Sequence, residues 1–138
     1  MNTWLIGAGF MAQEYAKVLL HQDIKFDVIG RGLDSAKVFK SLTGKSVVIG
    51  GLEETLKAME PPDQAIVAVG VEDLFKTAQL LIESGVKRIL LEKPGGINLR
   101  EIKEITDISK NNNCTLLLAY NRRFYASTAH VREMIKDD

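Results

Sequence analysis

Trp4-Leu5-Ile6 runs without a break into Gly7-Ala8-Gly9-Phe10-Met11-Ala12, and a segment of helical pattern follows. An apolar strand, a G-x-G-x-x-A turn and a helix start, in that order, limit what this chain can fold into more than any other feature. Each residue type has a physical reason. The first Gly permits the tight turn, and the second removes a Cβ where a pyrophosphate would approach the backbone. The small third residue, Ala12, lets the helix pack closely on the strand. The unpaired amides and positive dipole end of that helix then face the anion. A phosphate-binding turn of this kind belongs to a dinucleotide-binding fold.

The rest of the chain repeats the alternation. Apolar or β-branched runs at 26–30, 46–49, 65–69, 88–92 and 115–120 read as five further strands. Helical pattern lies between them, at 10–20, 34–42, 53–59, 72–84 and from 98 onward, and a last amphipathic segment covers 128–136. Tyr15, Val18 and Leu19 mark the apolar face of the first helix, and Leu99, Ile102, Ile105 and Ile108 that of the fifth. Asp34 is placed to cap the second helix and Gly44 to end it. Asn98 with Glu101 has the spacing of a capping box. The nearly all-apolar run at 65–69 suits a strand covered on both faces. These features predict an α/β domain with a doubly wound parallel sheet of about six strands, order 3-2-1-4-5-6. With 138 residues the chain fits one domain, 1–138.

Composition removes several other possibilities. Eighteen basic and eighteen acidic side chains cancel, so no charge excess points to nucleic acid or a membrane surface. The apolar runs are too short to span a bilayer, and no secretory signal is visible. One cysteine, Cys114, excludes an internal disulfide and suits a reducing, cytoplasmic setting; a small buried hydrophobe is its expected role. No metal site is expected.

In such a sheet a ligand lies beyond the carboxyl ends of the strands, and the special residues of this chain gather there. Gly7, Gly9, Gly30, Arg31, Val69, Gly70, Glu92, Lys93 and Asn121 all fall at those ends. The end of the second strand selects the cofactor. An acidic residue there grips the ribose hydroxyls of NAD. Here Gly30-Arg31 stands instead, leaving room for a 2′-phosphate and offering it a planar, charged donor set. NADP is therefore favoured over NAD; the alternative for Arg31 is a solvated turn residue. Glu92-Lys93-Pro94-Gly95-Gly96 is the second chemical feature. Lys93 at a strand end can point into the crevice and hold a substrate hydroxyl, and a nearby cationic nicotinamide would help it move protons. A strand-end ion pair with a surface turn explains the same residues equally well.

The chain resembles the N-terminal domain of the glucose–fructose oxidoreductase, inositol dehydrogenase and rhizopine-catabolism (Gfo/Idh/MocA) family. The G-A-G-F-M-A turn, Glu92-Lys93-Pro94, and Tyr120-Asn121-Arg122-Arg123-Phe124 after the sixth strand carry the resemblance, which spans nearly the whole chain. It implies a Rossmann fold and hydride transfer between a sugar- or cyclitol-like carbinol and C4 of a nicotinamide. Together with the turn and the strand ends read above, the expected cofactor contacts are Gly7, Gly9, Phe10, Met11, Ala12, Gly30, Arg31, Val69, Gly70, Glu92, Lys93, Pro94 and Asn121. The resemblance also implies a catalytic role for Lys93 at the substrate, with Asn121 and Arg122 beside it. Surface or domain-interface salt bridges account for Arg122 and Arg123 as well.

Two departures stand out. Val69-Gly70-Val71-Glu72-Asp73-Leu74 replaces the family's usual Thr-Pro-Asn segment after the fourth strand. The family's second α/β domain, which supplies a catalytic His and most of the substrate pocket, is absent from the chain. His21 and His130 do not follow that motif and read as ordinary packing or surface residues. The expectation is cofactor binding without turnover. The alternatives are a stand-alone nucleotide-binding module and one half of a two-chain enzyme. Homo-oligomers through an exposed apolar patch are compatible with either.

Overall fold

The computed structural model describes residues 1–136. Strand and helix alternate from the first residues: β1 (Thr3–Ile6), α1 (Phe10–His21), β2 (Asp27–Gly30), α2 (Leu33–Thr43), β3 (Val47–Ile49) and α3 (Gly51–Ala58). The second half continues with β4 (Gln64–Val67), α4 (Val71–Glu83), β5 (Arg88–Leu91), α5 (Leu99–Asn111) and β6 (Thr115–Leu118). A 3-10 turn (Asn121–Phe124) and α6 (Ala126–Met134) follow. All six strands are parallel, in the order β3-β2-β1-β4-β5-β6. This is the doubly wound sheet and strand order expected from the alternation.

Side chains on successive residues of a strand face opposite sides, and the core divides accordingly. Trp4 and Ile6 of β1 join Val67, Leu91 and the inner faces of α4 and α5 in one layer. Leu5 of β1 joins Val28, Phe39 of α2 and Ala12, Ala16 and Leu19 of α1 in the other. Trp4 and Phe39 are fully buried; each large apolar side chain removed from water stabilises the fold by about 1.5–3 kcal/mol. The Trp4 indole N–H has no hydrogen-bond partner, the one such buried side-chain atom among the described residues. On the far half of the sheet, Leu117 of β6 is 59% exposed, beside a shallow groove along Ile66 and Leu90. Cys114 is buried in the core, and burial pushes its thiol upward from the usual range.

Several local expectations shift. α2 begins at Leu33 after an extended Gly32, so Asp34 lies in the first turn and is not the cap. The left-handed Gly44 ends that helix as expected. The Asn98 side chain does cap α5, accepting from the Glu101 N–H at 3.0 Å. The Glu101 carboxylate, however, turns back to the Ile97 N–H at 2.9 Å, one residue short of a capping box. Val18 and Leu99, expected on apolar faces, are exposed; Ala12, Ala16 and Leu19 bury α1, and Ile105 and Ser109 bury α5. β4 and β6 end two residues early, and the closing helix starts at Ala126. Among the described residues no helix is long and apolar enough to cross a membrane. Among them too, no group of three or more His, Cys, Asp or Glu is placed to hold a metal ion.

Candidate functional site

Backbone bonds carry the sheet past its last ladder residues and align the strand ends. The Gly7 N–H donates to the Ile29 carbonyl at 2.8 Å, Ala68 to Ile6 at 2.8 Å, Glu92 to Val67 at 3.0 Å, and Ala119 to Leu91 at 2.9 Å. The loops after β1, β2, β4, β5 and β6 therefore leave the sheet along one edge. A cavity of about 950 Å³ opens there, at the point where the chain winds from β1 toward β2 on one side and β4 on the other. Its size suits a bound organic cofactor.

The glycine turn forms one wall, and its two glycines do different work. Gly7 has φ +116°, and a Cβ there would lie 2.2 Å from the Ala68 carbonyl oxygen. That glycine lets β1 and the β4 loop approach. Gly9 has φ −82°, which any residue adopts, and a Cβ would meet nothing within 4 Å. The space above Gly9 belongs to the cavity. No side chain caps α1, and its first turn carries no acid. The other helices opening at this cavity all carry one: Asp34 in α2, Glu53 and Glu54 in α3, Glu72 and Asp73 in α4. The N-terminus of α1 is thus the place along this wall where a dipole favours an anion without a carboxylate opposing it. Phe10 and Met11 are exposed on the cavity wall, whereas the Ala12 side chain is wholly buried against the sheet.

The opposite wall brings together residues distant in sequence. Gly30, Arg31, Val69 and Gly70 line the cavity. A Cβ on Gly30 would meet Val47 Cγ1 at 2.8 Å, so close packing against β3 requires that glycine. Arg31 donates to Asp73 of α4 at 2.6 Å. Gly50-Gly51 at the start of α3, and Asp73 and Lys76 of α4, also line the cavity and were not singled out from sequence. Part of their signal was available: Gly50-Gly51 directly follow β3, and Asp73 lies in the first turn of the helix after β4.

Glu92, Lys93, Pro94, Asn121 and Arg122 sit farther along the same edge, at the ends of β5 and β6, and do not line the cavity. Lys93, Asn121 and Arg122 are exposed, and the Lys93–Pro94 peptide is cis. Glu92 is buried and accepts a 2.6 Å hydrogen bond from the Tyr15 hydroxyl of α1. Burial, with that bond and the Glu92 charge, holds the Tyr15 phenol above its usual range. The glycine-rich turn after Pro94 packs on β6, where a Cβ on Gly95 would lie 2.7 Å from Leu118 Cδ1. His21 ends α1 and His130 lies on α6; neither lines the cavity.

A parallel 3-2-1-4-5-6 sheet with an acid-free helix opening over a glycine turn defines a dinucleotide-binding Rossmann domain. Residues 1–120 match the Gfo/Idh/MocA family, an oxidoreductase family with an NAD-binding Rossmann fold, and the chain belongs to that family. Trans-1,2-dihydrobenzene-1,2-diol dehydrogenase of Mus musculus is 26% identical over 137 residues, covering 95% of this chain and 40% of that enzyme. The chain therefore spans about two fifths of the length of that relative. The WlbA dehydrogenase of Bordetella pertussis, solved with NADH and UDP-GlcNAcA, superposes with a TM-score of 0.87 at 16% identity. The match covers 99% of this chain and 42% of that one. GenD2 from gentamicin A biosynthesis, solved with NAD, gives 0.83 at 21% identity over 99% of this chain and 39% of that one. At those identities the two structures speak for the fold alone.

Proposed function

We propose that this domain binds NADP(H) in preference to NAD(H). We further propose that the enzyme it serves transfers a hydride between the nicotinamide and a sugar- or cyclitol-like carbinol. One observation carries the first part: the open space over Gly9 and the Arg31 guanidinium line the same cavity. The residues fit the cofactor, since the α1 amides and the gap over Gly9 would take the pyrophosphate. Gly30-Arg31 supplies no ribose-gripping carboxylate and supplies a cation for a 2′-phosphate. A bound nicotinamide would supply the hydride acceptor at C4.

The chain's own residues would then divide the work. Lys93, at the end of β5, would hold the substrate hydroxyl and move its proton, with Asn121 and Arg122 orienting the substrate beside it. Glu92, buried against Tyr15, would anchor the strand end from which Lys93 projects. A substrate domain is needed for turnover, so the chain alone is expected to bind cofactor without reaction. The sugar nucleotide bound by WlbA belongs to the substrate class proposed.

Titration of the chain with NADPH and NADH by calorimetry tests this reading, and no binding of either at millimolar concentration sinks it. Arg31→Asp should weaken NADPH by about 1.5–3 kcal/mol, the scale of a charge-assisted contact. If NADPH affinity is unchanged and NADH binds as well, Arg31 is not the selector. Gly9→Ala should lower unfolding stability by no more than about 1 kcal/mol, the cost of Ala for Gly at a helix N-cap, because the new Cβ meets no protein atom. Dinucleotide affinity should nevertheless fall at least about tenfold, because that Cβ enters the pyrophosphate's space. Full affinity in Gly9→Ala would place the phosphates elsewhere.

A further inference from the structure

We infer that Asp73 is a second specificity-determining residue, the internal counter-ion that competes with a 2′-phosphate for Arg31. This rests on the proposed cofactor reading and extends it. Arg31 leaves the end of β2, and Asp73 lies in the first turn of α4, beyond the end of β4. Their 2.6 Å ion pair joins two loops that leave the sheet on either side of β1, and both side chains line the cavity between them. The Arg31 stem is seated as well. A Cβ on Gly51, at φ +82°, would come within 3.1 Å of Arg31 Cγ, so the bare backbone at the start of α3 gives the stem its place. Glycine at 51 and the carboxylate at 73 together hold the guanidinium at the mouth of the cavity.

The charges around it make this pairing matter. The cavity lining holds Glu53, Glu54 and Asp73 against Arg31 and Lys76. With one guanidinium nitrogen of Arg31 engaged by Asp73, a 2′-phosphate meets a partly neutralised cation among further carboxylates, with Lys76 nearby. It gains a charge-assisted fork on that edge of the guanidinium by taking Asp73's place. A 2′-hydroxyl carries no charge and has no such exchange to make. Asp73 therefore lowers affinity for the phosphorylated dinucleotide and leaves the unphosphorylated one nearly untouched. The Arg31 side chain is 75% exposed, so the competing pair is solvent-screened and displaceable.

Calorimetric titration of wild type and Asp73→Asn with NADPH and NADH tests the assignment. NADPH should bind about three- to tenfold more tightly to Asp73→Asn, the scale of a partly exposed ion pair opposing a dianion, with NADH changing less than about twofold. In the double variant Arg31→Ala/Asp73→Asn the gain over Arg31→Ala should vanish, which a merely structural effect of residue 73 would not reproduce. Unchanged or weaker NADPH binding in Asp73→Asn overturns the inference, and so does an equal gain for NADH. Loss of NADPH preference in Arg31→Asp without a gain in Asp73→Asn refutes the role of Asp73 alone. Failure of wild type to bind either dinucleotide refutes both readings.

Discussion

Gly7→Ala is expected to destabilise the domain by about 3–5 kcal/mol, the sum of a strained backbone and an overpacked contact. The left-handed φ of +116° already disfavours a side chain there, and the new Cβ would sit 2.2 Å from the Ala68 carbonyl oxygen. That oxygen is backbone, in the loop that follows the neighbouring strand, so no rotamer change relieves the contact. The strands on either side, β1 and β4, lie at the centre of the sheet, and β1 is buried along its whole length. A loss of this size approaches the whole stability of a small domain. Urea unfolding followed by circular dichroism measures it. A wild-type midpoint would mean that the two strand ends separate at little cost, contrary to the packing described. The comparison with Gly9→Ala is the informative part: two glycines of one motif, one needed for the fold and the other proposed to serve the ligand.

Lys93→Ala, made in an enzyme that includes the substrate domain, should lower kcat/KM by about 10²–10⁴, the usual range for a positioned proton-transfer group. Dinucleotide affinity of the isolated chain should stay within about twofold, because Lys93 lies outside the cavity that Gly9 and Arg31 line. The two readouts separate the proposed role from a structural one. A lysine that only braced the β5 turn would move stability and cofactor affinity together. Unchanged turnover with intact folding would assign proton transfer to another residue.

The parts of the site legible in sequence are those set by local backbone requirements. A strand followed by G-x-G-x-x-A has few other uses, and Gly7 and Gly9 stand where that motif places them. Gly44 ends α2 and Asn98 caps α5 for the same reason: a left-handed turn and an extended cap each select residue types within a few positions. Asp34 looked equally suited to capping α2 and was not used, because the extended Gly32 starts the helix earlier. Val18 and Leu99 fit the periodicity of their helices, yet among the described residues no second surface lies against them, and periodicity cannot report what a face meets.

Long-range pairs were not legible at all. Arg31 reads from sequence as a cation awaiting a phosphate; in the folded chain it is held by Asp73, 42 residues away. Glu92 reads as the partner of its neighbour Lys93; it is instead buried against Tyr15, 77 residues away. Neither pair follows a spacing rule, because each joins loops or helices that meet only once the sheet has assembled.

Residue order by itself thus determined the fold class, the strand order and the edge of the sheet at which the glycine turn stands. Apolar period, turn glycines and right-handed crossovers act over short stretches of chain, and together they admit few topologies. Only the tertiary structure decided how the charges on that edge are paired and which side chains share a cavity. Electrostatic contacts depend on distances of a few ångströms between segments remote in sequence, and packing alone sets those distances.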